Sequence, residues 1–174
     1  DGPAVAGPEG PATVLPVPGP GRPLVDQLVR SFGCLPCQDW LVDLDKLRTD
    51  LVVLGADAAA VGGSADFQAA WLRDERGVTM PLFVDPHQAF RRTVEMERPL
   101  GFRMADPRGA AAYVRSLRHG YRPQKVTKDT VRSPGVVIID SNRRVVWRHE
   151  GTRIGDYPEH SVVLAALTRL HSAG

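Results

Sequence analysis

Two hydrophobic rhythms alternate along this chain from Leu24 onward, short apolar runs and three- or four-residue steps, and together they mark out strands and one-sided helices. Leu28, Val29 and Phe32 predict a strand running into Gly33. Trp40, Leu41, Leu44, Leu47 and Leu51 then recur at helical spacing, which predicts a helix with one buried face. Residues 51–54, valine-rich and closed by Gly55, predict a buried strand. Ser64 is the expected N-cap of a second helix through Arg76 that buries Phe67, Ala70 and Trp71 and stops at Gly77. Residues 81–84 predict another strand, and Pro86 opens a third helix to about Val94.

The second half is less regular. Residues 110–117 predict a helix and 120–133 a loop. Residues 136–139 and 145–147, joined by Asp140-Ser141-Asn142, predict a hairpin. Pro158 starts a last helix with Val162, Val163, Ala166, Leu167 and Leu170 on one side. The order is strand and helix three times over, an insertion, a hairpin and a helix. Alternation first and a hairpin last imply an α/β fold, a mixed central sheet with helices on both faces. Residues 1–23 hold seven Pro and five Gly, so they predict an irregular arm with at most a short strand near 13–17, ahead of one domain at 24–174.

Composition narrows the function classes. A length of 174 residues suits one domain, and 43% hydrophobic with 24% charged residues is ordinary for a globular protein. No run approaches the ~18 apolar residues of a bilayer span. A net charge of +2 argues against bulk nucleic-acid binding. The charge is uneven, however: residues 91–132 carry eleven Lys or Arg against four Asp or Glu, a basic insertion that is either solvated surface or a docking face for an acidic partner or anionic substrate. With no charged-then-apolar leader pattern at Asp1, the expected location is the cytoplasm, an exported or anchored form being the alternative.

The only two cysteines, Cys34 and Cys37, are three residues apart, which makes them a local device rather than a framework. They lie in Phe32-Gly33-Cys34-Leu35-Pro36-Cys37-Gln38, between a predicted strand and a predicted helix. Pro36 suits a first helical turn, placing Cys34 at the helix entrance and Cys37 one turn inside. Side chains three apart on a helix are neighbours, so the sulfurs can meet. Free N–H groups and the helix dipole favour a thiolate at Cys34, while the deeper Cys37 is placed to resolve a mixed disulfide. Zinc would need four ligands and haem attachment a His after the second cysteine, where Gln38 stands. No metal or cofactor is expected, only the dithiol and an external thiol reductant. Asp39 and Asp43 are candidates for assisting proton transfer from Cys37, with surface roles as the simpler reading. Trp40 reads as core, and His87, His119, His149 and His160 share no ligand-like spacing and read as surface.

The stretch Leu28-Val29-Arg30-Ser31-Phe32-Gly33-Cys34-Leu35-Pro36-Cys37 resembles the peroxiredoxin-like branch of the alkyl hydroperoxide reductase/thiol-specific antioxidant family, to which the prostamide/prostaglandin F synthase-like proteins belong. The likeness runs over about 24–170 and includes Phe83-Val84-Asp85-Pro86, the hairpin, and Gly155-Asp156-Tyr157-Pro158. It implies a thioredoxin-like fold and thiol-dependent reduction of a disulfide or a peroxide. In the family, a Thr or Ser stands three residues before the peroxidatic cysteine and a Pro four further back; here these are Ser31 and Gln27. In a second register Cys34 replaces the Thr and Cys37 is peroxidatic. The family's Arg before the strand matching 136–139 is replaced by Pro134, with Arg132 two residues earlier. Ser133-Pro134-Gly135 has instead the layout of the cis-proline that thioredoxin-like oxidoreductases pack against their cysteines. The expected site is therefore Cys34, Cys37 and Pro134, with Ser31, Ser133 and Arg132 lining the substrate. Disulfide exchange is the first expectation, a thiol peroxidase the second, and a non-catalytic adaptor with the basic segment as docking face the third.

Overall fold

The structure, a computed structural model, describes residues 4, 5, 13, 14, 16–63, 66–124 and 131–173. Two short strands, β1 (Ala4–Val5) and β2 (Thr13–Val14), pair antiparallel with each other. The main sheet has five strands in the order β5-β4-β3-β6-β7. Its central strand is β3 (Leu24–Leu28), buried along its whole length. On one side β3 pairs in parallel with β4 (Asp57–Gly62), and β4 with β5 (Leu82–Val84). On the other it pairs antiparallel with β6 (Gly135–Ile139), which forms the expected hairpin with β7 (Val145–Glu150). A parallel half built by crossover helices and an antiparallel half built by a hairpin make the sheet mixed.

Helices cover both faces. Strand alternation puts Val25, Gln27 and Val29 on one face, where Leu41 and Leu44 of α1 (Leu35–Lys46), Leu72 of α3 (Asp66–Arg76) and Val163, Ala166 and Leu167 of α6 (His160–Ala173) complete the larger core. The opposite face, with Leu28, Val61 and Val137, is covered by Phe90 of α4 (Ala89–Thr93) and by Val94 and Met96 beyond it. Between β5 and β6 the chain adds a 3-10 turn (Gly101–Ala105) and the helix α5 (Pro107–Arg118), capped by Asp106, whose carboxylate accepts the Arg108 N–H. No helix among the described residues is long and apolar enough to cross a membrane.

Several elements differ from the sequence expectation. The first strand ends at Leu28 rather than at Phe32, because Phe32 turns inward to pack on Gly62 and the backbone between them is loop. Residues 51–54 are not a strand. They belong to α2 (Arg48–Val53), which buries Leu51 and leaves Val53 77% exposed. The true strand is the alanine-rich β4, whose small side chains fit the space under the helices and whose ladder with β3 outweighs the poor strand propensity of alanine. In α3 the buried residues are Gln68, Ala69 and Leu72, whereas Phe67 is 55% exposed. The face is rotated because the Gln68 amide is drawn into the core by a backbone partner. Ser64, the expected cap, lies outside the described residues. The third helix begins at Ala89 after a turn, three residues beyond Pro86. Arg91, counted in the basic segment, is buried.

Candidate active site

The chain leaves β3 at Leu28 and reaches α1 through residues 29–34, a loop fixed at nearly every residue. Val29 N donates to Val61 O at 2.9 Å and Cys34 N to Ser31 O at 3.1 Å. Gly33 N donates to Gln68 Oε1 at 2.9 Å, so close to the amide that a Cβ on residue 33 would collide with Gln68 Nε2. Gln38 Nε2 donates to Phe32 O at 2.6 Å. Gln27, standing where the family places a proline, donates from Nε2 to Cys37 O at 3.1 Å and so holds the first turn of α1 against the sheet.

This framing presents the two cysteines side by side. Cys34 is the N-cap residue of α1, in extended conformation (φ −73°, ψ 116°), with Pro36 in the first turn. Cys34 and Cys37 are free thiols that approach to 2.7 Å. Cys34 is 2% exposed and Cys37 is fully buried. Burial on its own would raise the Cys34 thiol, but a hydrogen bond from the Cys37 thiol, the Arg30 charge and the Cys37 backbone N–H outweigh it and lower Cys34 to about 6. Cys37 is pushed well above the ordinary thiol range, by burial first and by the neighbouring Cys34 next. At neutral pH the negative charge therefore sits on Cys34 and the proton on Cys37.

Three residues that sequence reasoning missed complete the surroundings. The Arg30 guanidinium, itself buried, donates from Nη1 to Cys34 Sγ at 3.6 Å. Tyr113, on α5, lies within electrostatic reach of Cys34 and Cys37, and burial first and these thiols next push its phenol above the ordinary tyrosine range. Tyr157 lies within electrostatic reach of Cys37, and its hydroxyl donates to Leu28 O at 3.3 Å. Arg30 had a readable signal, the one cation in the stretch from Leu28 to Cys34, four residues before the cysteine. Tyr113 had none, because only the docking of α5 brings it near a sulfur.

That docking is specific. Ser116 Oγ donates to Asp39 Oδ2 on α1 at 3.1 Å, and His119 Nδ1 lies 3.0 Å from Asp39 Oδ1. The loop before α6 wedges in beside them: Gly155 (φ +71°) packs where a Cβ would stand 2.7 Å from Ala112 Cβ and 3.0 Å from Pro36 Cβ. Asp43 pairs with Lys46 at 2.8 Å, so the hydrogen bonds of both acids lead away from Cys37. Trp40 is stacked between Tyr157 (5.1 Å, 20°) and His160 (4.4 Å, 17°) and donates to Pro158 O, a core role.

The other expected site residues fall as follows. Ser31 is buried, and its carbonyl receives the Cys34 N–H. Ser133 and Arg132 tie the 97–98 segment in place: Ser133 Oγ donates to Arg98 O at 3.0 Å and Arg132 Nη1 to Glu97 O at 2.8 Å. The Ser133 carbonyl is held at 2.9 Å by Nη1 of Arg91, whose Nη2 donates to Val29 O at 3.0 Å, so this buried guanidinium clamps the end of β3 to the start of β6. The cis-proline expectation is corrected: no peptide bond among the described residues is cis. Pro134 O accepts the Gly151 N–H at 2.8 Å, which prolongs the β6–β7 ladder by one hydrogen bond at the proline. Among the described residues no cluster of His, Cys, Asp or Glu could hold a metal ion.

No family model and no curated protein matches the sequence. Solved structures do match in shape. Peroxiredoxin Q of Xanthomonas campestris superposes with a TM-score of 0.67 at 16% identity, covering 97% of this chain and 90% of that one. A peroxiredoxin-like protein of Aquifex aeolicus gives 0.64 at 12% identity over 98% and 84% of the two chains. The peroxidoxin BcpB of Mycobacterium tuberculosis gives 0.57 at 14% over 85% and 79%. Topology and these likenesses agree that the chain has the peroxiredoxin form of the thioredoxin-like fold.

Proposed function

We propose that this chain is a thiol-dependent oxidoreductase that reduces peroxides, with Cys34 as the attacking thiolate and Cys37 as the resolving thiol. The observation that carries the reading is the buried ion pair of Cys34 Sγ and Arg30, 3.6 Å apart and closed off from bulk water. Sequence alone assigned Arg30 no role beside Cys34. With Arg30 there, the site has what a peroxide demands: a thiolate to attack one oxygen and a fixed positive charge to stabilise the other as it leaves. A cysteine only 2% exposed also favours a small oxidant over a protein disulfide. Attack forms a sulfenic acid on Cys34. Cys37, already in contact, displaces water from it to close the disulfide, which an external thiol then reduces. Neighbours named as peroxiredoxins support the choice through their fold.

Disulfide exchange is the second reading, favoured by Cys34 as N-cap with Pro36 in the first turn, an arrangement suited to a mixed disulfide resolved from one turn inside. The Phe32-Gly33-Cys34-Leu35-Pro36-Cys37 motif further suggests the prostamide/prostaglandin F synthase-like branch and so a role on a small molecule. Cys37→Ser separates the two chemistries. Under the peroxidase reading it accumulates sulfenic acid at Cys34 at low peroxide concentration and captures no disulfide substrate. A stable mixed disulfide on Cys34, with no sulfenic acid, would establish disulfide exchange instead.

A further inference from the structure

A second buried guanidinium stands at the root of the cysteine loop. Arg91, on α4, is 4% exposed and donates from Nη1 to Ser133 O at 2.9 Å and Met96 O at 3.4 Å, and from Nη2 to Val29 O at 3.0 Å. None of these three acceptors is a carboxylate, so a charge is kept out of water to hold backbone. The Val29 carbonyl belongs to the planar peptide group that leads into Arg30, and its bond to Arg91 fixes the plane from which the Arg30 side chain departs. The preceding peptide group is held as well: Val29 N donates to Val61 O at 2.9 Å, and Leu28 O accepts from the Tyr157 hydroxyl at 3.3 Å. At the far end of this trunk, Arg30 Nη1 meets Cys34 Sγ.

We propose that Arg91 is a positioning residue: by holding the Val29–Arg30 peptide against the start of β6, it aims the Arg30 guanidinium at Cys34. The role rests on the reading above of Cys34 as an attacking thiolate paired with Arg30, and it holds whether the substrate is a peroxide or a disulfide.

Two features suit Arg91 to this task. Its base is firm, because Asp85 Oδ2 accepts the Phe90 N–H at 2.7 Å while Asp85 N donates to Gly62 O at 2.6 Å, which ties the start of α4 to the end of β4. Its fork is rigid, and the two terminal nitrogens meet carbonyls from different strands, Val29 just beyond β3 and Ser133 two residues ahead of β6. Lysine carries the same charge on a single nitrogen and cannot reproduce that planar span. Charge and geometry at residue 91 are therefore separable by substitution.

The test titrates the Cys34 thiolate by absorbance at 240 nm in wild type, Arg30→Met, Arg91→Lys and Arg91→Gln, with each Arg91 variant also made in the Arg30→Met background. Asp45→Ala is the control for general destabilisation, since it frees Thr79 N and Met80 N at the other end of α1. Arg91→Lys and Arg91→Gln should each raise the Cys34 midpoint from about 6 by about one pH unit, so that iodoacetamide alkylation at pH 6 falls about fivefold. In the Arg30→Met background neither should move the midpoint further, because the residue they act through is gone. Asp45→Ala should keep the wild-type midpoint while its Tm falls. Should Arg91→Lys not fold, Arg91→Gln, which buries no charge, carries the same cycle. A wild-type midpoint in Arg91→Lys, or an equal shift with and without Arg30, overturns the positioning role and leaves the Cys34–Arg30 reading standing. A shift in Asp45→Ala as large as in the Arg91 variants overturns it too. An unmoved midpoint in Arg30→Met overturns the Cys34–Arg30 reading and the Arg91 role together.

Discussion

Arg30→Met would remove the charge that faces Cys34 while keeping a long aliphatic side chain in a buried position. The guanidinium lies 3.6 Å from Cys34 Sγ. At that separation two unit charges interact by roughly 4–5 kcal/mol at an effective dielectric near 20, or about three pKa units at 1.36 kcal/mol each. That is an upper bound, because the Cys37 thiol and backbone N–H keep their hydrogen bonds to the sulfur. Burial, which opposes ionisation, also remains. Cys34, now at about 6, should therefore rise by about one to three units. With a midpoint near 8, the thiolate fraction at pH 7 drops from roughly nine-tenths to roughly one-tenth, and the iodoacetamide alkylation rate should fall about tenfold. Thiolate absorbance at 240 nm, titrated from pH 4 to 9, reads the midpoint directly. The sign in stability is fixed as well. A thiol whose folded pKa is lowered adds stability that is present above its unfolded pKa and lost as pH falls through about 6. The urea midpoint of wild type relative to Arg30→Met should accordingly be more favourable at pH 9 than at pH 5. A Cys34 midpoint that moves by less than about half a unit would refute the assignment of Arg30 as the activating cation.

Asp26 lies inside β3 with neither carboxylate oxygen hydrogen-bonded, and burial pushes its carboxyl well above the usual range. Its stabilising contribution is present below an unfolded pKa of about 3.9 and is lost as pH rises, so Asp26→Asn should raise the Tm at pH 8 and change it less at pH 4, at about 2–4 °C per kcal/mol relieved. Equal shifts at the two pH values would sink that account. Gly155→Ala places a Cβ against Ala112 at a residue with φ +71° and should cost about 1–3 kcal/mol in urea unfolding; a neutral result would mean that the loop is not wedged. Asp39→Ala removes the acceptor for Ser116 and His119, hydrogen bonds together worth about 1–3 kcal/mol. Freeing α5 in this way should raise Cys34 alkylation by a bulky maleimide up to about tenfold, since exchange through an opening tracks its population. An unchanged rate would show that α5 does not control access.

The sequence by itself determined the elements whose signal is local. The hairpin, α5, α6 and the dithiol motif were legible because hydrophobic spacing, a turn at Asp140-Ser141-Asn142 and a proline in a first helical turn act over a few residues. Tertiary structure decided the rest. A run such as 51–54 is apolar enough for a strand, yet strand identity belongs to whichever segment β3 pairs with, and that is the alanine-rich β4. Gln68 faces the core because Gly33 N needs an acceptor there, which no helical periodicity encodes. The pairing at Pro134 follows from a hydrogen bond to Gly151, seventeen positions along the chain and across a strand pair. Most of all, the chemistry of Cys34 depends on Arg30, whose guanidinium the loop folds back onto the sulfur. A cysteine motif can mark where a thiolate forms. The charge that sits beside it is brought there only by packing, because electrostatic contact depends on distance in space and not along the chain.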